Sequence, residues 1–259
     1  VAYLITPVAN GCTGLPRTLY AVVYPVPDAM STPNAATICS GQTTAFALSS
    51  SVTGALFSWT ATGSSGNVSG FSAGTGNVID QTLVNSGNSV ETVTYTVTPV
   101  IPGCPAGPSI SIIATVNPVP LLTTSPLSKQ ICDNNPTAVT LTSNIPTALF
   151  TWTCTPSSGN ITGWSDNALP TASLNQTLDN TGFNTETVTY HITPSANGCS
   201  GPVADFTVTV HPTPDLSNTP ASMQICNNTA TNLTLTSNVT GTLFTWSCTP
   251  SSANVTGWS

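Results

Sequence analysis

TVTYHITPSANGC, Thr187 to Cys199, is the stretch on which the fold turns, because the chain repeats it. TVTYTVTPVIPGC stands at Thr92 to Cys104, and VAYLITPVANGC opens the chain at Val1 to Cys12. In one copy Val93, Tyr95 and Val97 alternate with threonines; in the next, Val188, Tyr190 and Ile192 alternate with Thr187, Thr189, His191 and Thr193. Alternation of apolar and polar residues with a period of two, rich in β-branched and aromatic types, makes a strand with one face in a core. Each copy then turns and reaches a cysteine. The rest of each repeat must supply the sheet that this strand pairs with.

The cysteines fix the period. Cys39, Cys132 and Cys226 each follow Ile, and Cys12, Cys104 and Cys199 each follow Gly. Both series recur at an interval of roughly 93 residues, the size of one small β-sandwich with its own core. Pro-x-Pro recurs at Pro25, Pro118 and Pro212, always at the same distance before the Ile-Cys cysteine. Paired prolines end a strand and make a short stiff joint. The divisions are therefore residues 1–25, the last quarter of a repeat; 26–118 and 119–212, two complete repeats; and 213–259, the first half of another.

Within a complete repeat, strands are expected near Thr44–Ser49, Ala55–Thr60, Val78–Leu83 and Ile110–Val116, and in the next near Val139–Ser143, Ala148–Cys154 and Phe206–Val210. About seven short strands separated by turns indicate an antiparallel sandwich, and nothing reads as a helix. The expected fold is all-β: tandem immunoglobulin-like antiparallel sandwiches in a linear rod. Trp59, Trp152, Trp246, Tyr95 and Tyr190 are its expected core aromatics. The chain starts within a strand and stops within a repeat, so a longer repetitive protein is expected around it.

Only 4% of residues are charged, two basic against nine acidic, which argues against nucleic acid or an anionic membrane as partner. No run of about twenty apolar residues is present to span a membrane. A hydrolase would need a base, and His191 and His211 fall on outward strand positions. No Cys-x-x-Cys pair offers a zinc site. Asp28 and Asp215 follow the linker prolines, where a calcium ion between domains would sit, but Leu121 takes that place at the middle joint. No cofactor or metal is expected. The loop aromatics Phe71, Trp164 and Trp258 read as turns packed on the sandwich; as an alternative, Trp164 and Trp258 face a ligand as sugar-stacking platforms.

Eight cysteines in so charge-poor a chain suggest disulfides and an oxidising, extracellular setting; buried free thiols are the alternative. In an immunoglobulin-like sandwich the first strand starts at the same pole as the loop before the last strand. That would pair Cys39 with Cys104 and Cys132 with Cys199, each link contributing roughly 4 kcal/mol through loop closure. Cys12 and Cys226 would pair with cysteines beyond the two ends. Cys154 and Cys248, two residues after a tryptophan, read as small buried residues.

The phrases VTYTVTP and VTYHITP, followed by GC, a Thr/Val strand and then NPVP or HPTP, resemble the PKD-like repeats of very large secreted proteins of the Bacteroidota. The likeness spans the whole chain. It implies immunoglobulin-like sandwiches in a giant cell-surface adhesin, such as the gliding-motility adhesin, exported by type IX secretion. The partners it implies are neighbouring repeats of the same chain, with surface polysaccharide or other cell-surface proteins as further ones. Trp59, Trp152 and Trp246 stand where PKD domains carry their core tryptophan. The Asp-rich text that follows it in those domains is replaced by TATGSSG and TCTPSSG, so no calcium role carries over. The function expected is a non-enzymatic stalk, with a carbohydrate-binding array or a self-assembling filament completed by strand addition as alternatives. Small-angle scattering should give a rod growing by about 40 Å per repeat, a figure that follows from strand rise plus loops; a compact particle would contradict it.

Overall fold

A computed structural model of the protein describes residues 1–257. The described residues form strands, turns and loops without any helix. In the first complete repeat the main strands are β1 (Ala35–Cys39), β2 (Phe46–Ser49), β3 (Leu56–Gly63), β4 (Glu91–Val100) and β5 (Ile110–Asn117). β4 is the repeated stretch, and its odd-numbered residues from Glu91 to Pro99 are all buried while its threonines face outward. It pairs antiparallel with β3 on one side and β5 on the other. β1 closes the far edge by pairing parallel with β5, Ile113 opposite Ala35 through Asn117 opposite Cys39. Gly74–Thr75 completes the five-stranded sheet beyond β3.

The second layer is built around β2, flanked by Met30–Thr32 and Val78–Ile79, with Val84–Asn85 paired to Val68–Ser69 nearby. Between the layers lie Phe46, Phe57, Trp59, Ile79, Leu83, Val93, Tyr95, Val97, Ile112 and Val116. The Phe46 and Tyr95 rings meet edge to face at 6.1 Å.

The second complete repeat has the same plan. Its sheet runs β6 (Ser128–Cys132), β9 (Ala204–His211), β8 (Glu186–Ala196), β7 (Leu149–Pro156) and Asn167–Thr171. β6 again pairs parallel with the last strand, Cys132 opposite His211. Phe150, Trp152, Ile161, Leu174, Leu178, Val188, Tyr190 and Phe206 fill the interior. β1 and β6, the Ile-Cys strands, are absent from the sequence expectations: their text, AATIC and SKQIC, lacks a clean alternation.

Buried polar groups recur at matching places and are paired. Asn180 donates from Nδ2 to the carbonyls of Asn184 (2.8 Å) and Val210 (3.1 Å), and its Oδ1 accepts from the Gly182 amide (3.0 Å). Asn85 does the same with Ser89, Val116 and Gly87. One side chain thereby ties the turn before the long strand to the end of the last strand. Tyr95 and Tyr190 donate their hydroxyls to Gln81 and Gln176, so aromatic rings at 0% exposure carry no orphan group. Gly163 has φ of +82°, and a Cβ there would lie 2.0 Å from the Thr177 carbonyl oxygen, a place only glycine can fill.

The Gly-Cys turns differ for a local reason. Asn197 and Gly198 both take positive φ (52° and 78°), the pattern of a type I′ turn, and β8 folds back as a hairpin onto Cys199–Ser200. In the preceding repeat Pro102 replaces that asparagine and cannot reach positive φ, so only Gly103 does, and no hairpin strand forms.

Outside the complete repeats, Ala2–Ile5 pairs with Arg17–Tyr20, and residues 213–257 contain no strand. Trp246 was expected in a core and is instead 71% exposed. Trp152 is covered because β8 pairs with its strand; no strand pairs with the segment carrying Trp246, so its indole stays in solvent. Asn180→Leu should lower stability in urea unfolding by about 1–3 kcal/mol, since it leaves the buried Val210 carbonyl, and the less buried Asn184 carbonyl and Gly182 amide, without that side chain as partner. Ser200→Ala, at an exposed site, should stay within about 0.5 kcal/mol of the parent.

Candidate functional site

The cysteines are where sequence expectation and structure part. Cys39 and Cys199 are disulfide-bonded, whereas Cys104 and Cys132 carry free thiols. The pairings Cys39–Cys104 and Cys132–Cys199 are therefore not formed. The reason lies in the parallel strands: the Ile-Cys cysteine ends the strand that pairs with the last one instead of starting it. Cys39 lies beside Asn117, the end of β5, while Cys104 precedes Ile110, its beginning. Cys132 and Cys199 are separated in the same way along β9. Seven strand steps, about 23 Å, lie between them. A disulfide requires Cα atoms within about 7 Å.

Cys154 is half-buried, and its thiol donates to the Ser165 carbonyl at 3.2 Å. Burial first, and then the Asp166 carboxylate, push its pKa up to about 12. It is an unreactive packing residue. Asp166 is held beside it by accepting from the Cys154 amide at 2.8 Å.

His191 lies on the outer face of β8. Its Nδ1 is 2.6 Å from Asp205 Oδ1, and its Nε2 is 2.9 Å from Thr155 Oγ1. The order hydroxyl, imidazole, carboxylate is that of a nucleophilic triad. Here it spans three adjacent strands on an open sheet face, with the His191 and Asp205 side chains 36% and 61% exposed. The amides of these strands serve the ladder and are not gathered at an oxyanion position. The group is a surface cross-strand cluster, worth little to stability. Asp166, Asn167, His191, Thr193 and Val203 line a shallow depression of about 360 Å³ beside it, with Trp152 at its floor. Register alone brings Asp205 opposite His191; the sequence signal is a histidine and an aspartate on either side of the Gly-Cys turn. The preceding repeat has Thr62, Thr96 and Ser111 at the three places.

Trp164 is partly exposed, packs against the core, and donates its indole N–H to the Ile161 carbonyl at 3.1 Å. With Pro156, Ser158, Gly159 and Ile161 it lines an open depression of about 520 Å³. Trp258 lies outside the described residues. Asp28 Oδ1 accepts from Ser50 Oγ (2.7 Å), Ser51 N (2.7 Å) and Ser51 Oγ (3.0 Å), and Asp215 caps Ser237 and Asn238 likewise. Both carboxyls are held below their ordinary range, the serine hydroxyls being the first cause. These aspartates staple the linker to a loop of the next repeat. At the middle joint the polarity reverses: the Leu121 amide donates to Asn144 Oδ1 at 2.7 Å. No cluster of His, Cys, Asp or Glu able to hold a metal occurs among the described residues.

Glu91 and Glu186 stand just before the repeated stretch, each accepting a hydrogen bond from Ser64 or Ser157. That hydroxyl, followed by a second serine, holds each carboxyl below the ordinary glutamate value. Their recurrence before TVTY is the legible signal; the serine partners, which lie on the far side of the intervening strands of the repeat, are not.

The PKD-like domain family matches the chain twice, over residues 36–120 and 129–214. No curated protein matches it. Solved structures similar to the chain include Dpr2 Ig1-Ig2 in complex with DIP-Theta Ig1-Ig3 (11% identity, 72% of this chain and 65% of that one, TM-score 0.29). Others are extracellular cadherin domains 3–6 of protocadherin gamma B2 (12%, 78% and 56%, TM-score 0.36) and extracellular domains 3–5 of Drosophila OTK (11%, 72% and 62%, TM-score 0.35). The chain spans less than two thirds of each of these three.

Because Glu186 is lowered in the folded state, its contribution to stability is complete above the ordinary value of 4.5 and is lost as pH falls below it. The melting temperature should drop in that acid range, and Glu186→Gln should flatten the drop. Thiol labelling at pH 8, followed by peptide mass spectrometry, should modify Cys132 well before Cys154.

Proposed function

The chain belongs to the PKD-like domain family, and on that premise we propose that it is a stalk segment of a very large bacterial cell-surface adhesin, a non-enzymatic spacer used in gliding or attachment. The observation that carries this reading is the parallel pairing of the Ile-Cys strand with the last strand in both complete repeats. Force passing along the chain pulls the Ile-Cys strand toward its start and the last strand toward its end, loading the two in opposite directions along their length. Their hydrogen bonds are then sheared together and do not open one at a time. A load-bearing spacer needs that geometry; an enzyme or a soluble carrier does not. Threonine-faced sheets and a disulfide fit an extracellular position, and the resemblance of the repeats favours type IX export from a member of the Bacteroidota.

Pulled by its ends under reducing conditions in a single-molecule instrument, the chain should give two force peaks, each releasing one repeat. Thr37→Pro removes a donor from the middle of β1. It should lower one of the two peaks and leave the other as internal reference, with the circular dichroism spectrum unchanged. Equal peaks in the variant would remove the mechanical reading.

A second reading rests on Trp164, whose half-exposed indole borders the larger depression. Binding of a glycan that quenches tryptophan fluorescence, and that Trp164→Ala abolishes, would favour a carbohydrate-binding array over a passive stalk.

A further inference from the structure

The outward face of the long strand in the first complete repeat carries one residue type. From Thr92 to Thr98 every outward position of β4 is threonine, while its inward positions belong to the core. The neighbouring strands continue the pattern in register. Thr96 lies between Thr60 on β3 and Ser111 on β5, and Thr94 lies between Thr62 and Ile113. Thr98 is opposite Ser58, and Thr92 is opposite Thr115, which in turn faces Thr37 on β1. No charged residue stands at any of these positions, so no ionic group imposes a hydration shell of its own on the face.

The backbone fixes the spacing of these side chains. Neighbouring strands lie about 4.8 Å apart, and successive outward residues of one strand lie about 6.7 Å apart. Threonine adds stiffness, because the two heavy atoms on its Cβ restrict χ1. Each one therefore holds a methyl and a hydroxyl in a set place, and together they form a two-dimensional grid. Its two repeats are close to the two oxygen spacings on a prism face of ice. Water held by such a grid is already arranged as in the crystal, so joining the crystal carries little further ordering cost.

We propose that the outer face of β3, β4 and β5 is an ice-binding surface, with crystalline water as its ligand. The second complete repeat supplies a comparison within the same chain. There Thr187, Thr189 and Thr193 keep the pattern, and Thr189 lies between Thr155 and Thr207. His191 and Asp205, paired at 2.6 Å, stand where the first repeat has Thr96 and Ser111. An imidazole and a carboxylate order water around their own geometry and break the grid, so the second face is the weaker of the two. The surface does not depend on load bearing: a chain without force peaks would still carry it.

The test grows ice slowly from a dilute solution of the full chain mixed with an inert globular protein, and measures how much of each enters the crystal. The chain should be taken into the ice while the inert protein stays in the liquid. A droplet of the same solution should freeze below its melting point and grow faceted crystals. Thr96→Lys, at an exposed position in the middle of the grid, should remove most of the uptake. Thr60→Lys, exposed on the adjacent strand, is a second disruption at an independent site, and a urea midpoint close to the parent's checks that each variant folds. His191→Thr combined with Asp205→Ser completes the second grid and should raise the uptake. Exclusion of the chain from ice together with the inert protein, uptake unchanged in folded lysine variants, or uptake not raised by the completed grid would each overturn the proposal.

Discussion

Parallel pairing between the Ile-Cys strand and the last strand is the constraint from which the other features of each repeat follow. It covers the outer edge of the last strand, so that β5 and β9, which flank the long Tyr-centred strands, are themselves paired on both sides. It places the start of the Ile-Cys strand and the end of the last strand at opposite ends of one ladder, which is the condition for loading that ladder in shear. It also carries the Ile-Cys cysteine to the end of the last strand, one full strand length from the Gly-Cys turn. Had the Ile-Cys strand run antiparallel to the last, both the mechanical and the cysteine arrangements would be reversed.

What surrounds this ladder is a solution to folding with almost no charge. The outward faces are threonine and serine, which hydrate well and pair across strands without ionic partners. Inside, the few polar groups are placed where a turn must be anchored to a strand of the other layer, as with Asn85 and Asn180, and their hydrogen bonds are filled. Trp59 is an exception, its indole N–H buried without a hydrogen-bond partner. The equivalent Trp152 donates to the Ser165 carbonyl. The two repeats share a plan and differ in such details, as they do in the Thr155, His191 and Asp205 cluster that occurs in one of them.

The cysteines show how local text misleads when geometry is set elsewhere. The near-equal spacing from Cys39 to Cys104 and from Cys132 to Cys199 looks like a loop to be closed. The register shows that the loop's two ends belong to opposite poles.

By itself the sequence determined the unit and its class. The recurrence of VTY with alternating threonines, the constant offset from Pro-x-Pro to Ile-Cys, and the buried positions of Trp59, Trp152, Tyr95 and Tyr190 are local or periodic facts, and periodicity is written in the order of residues. The direction and register of β1 and β6 were decided only by the tertiary structure, because AATIC and SKQIC gain their place from the strand beside them and not from an alternation of their own. The same holds for the serines that hold Glu91 and Glu186, for Asp205 opposite His191, and for which sulfurs can meet. Each depends on distances between residues far apart in the chain, and those distances exist only once the sheet has closed.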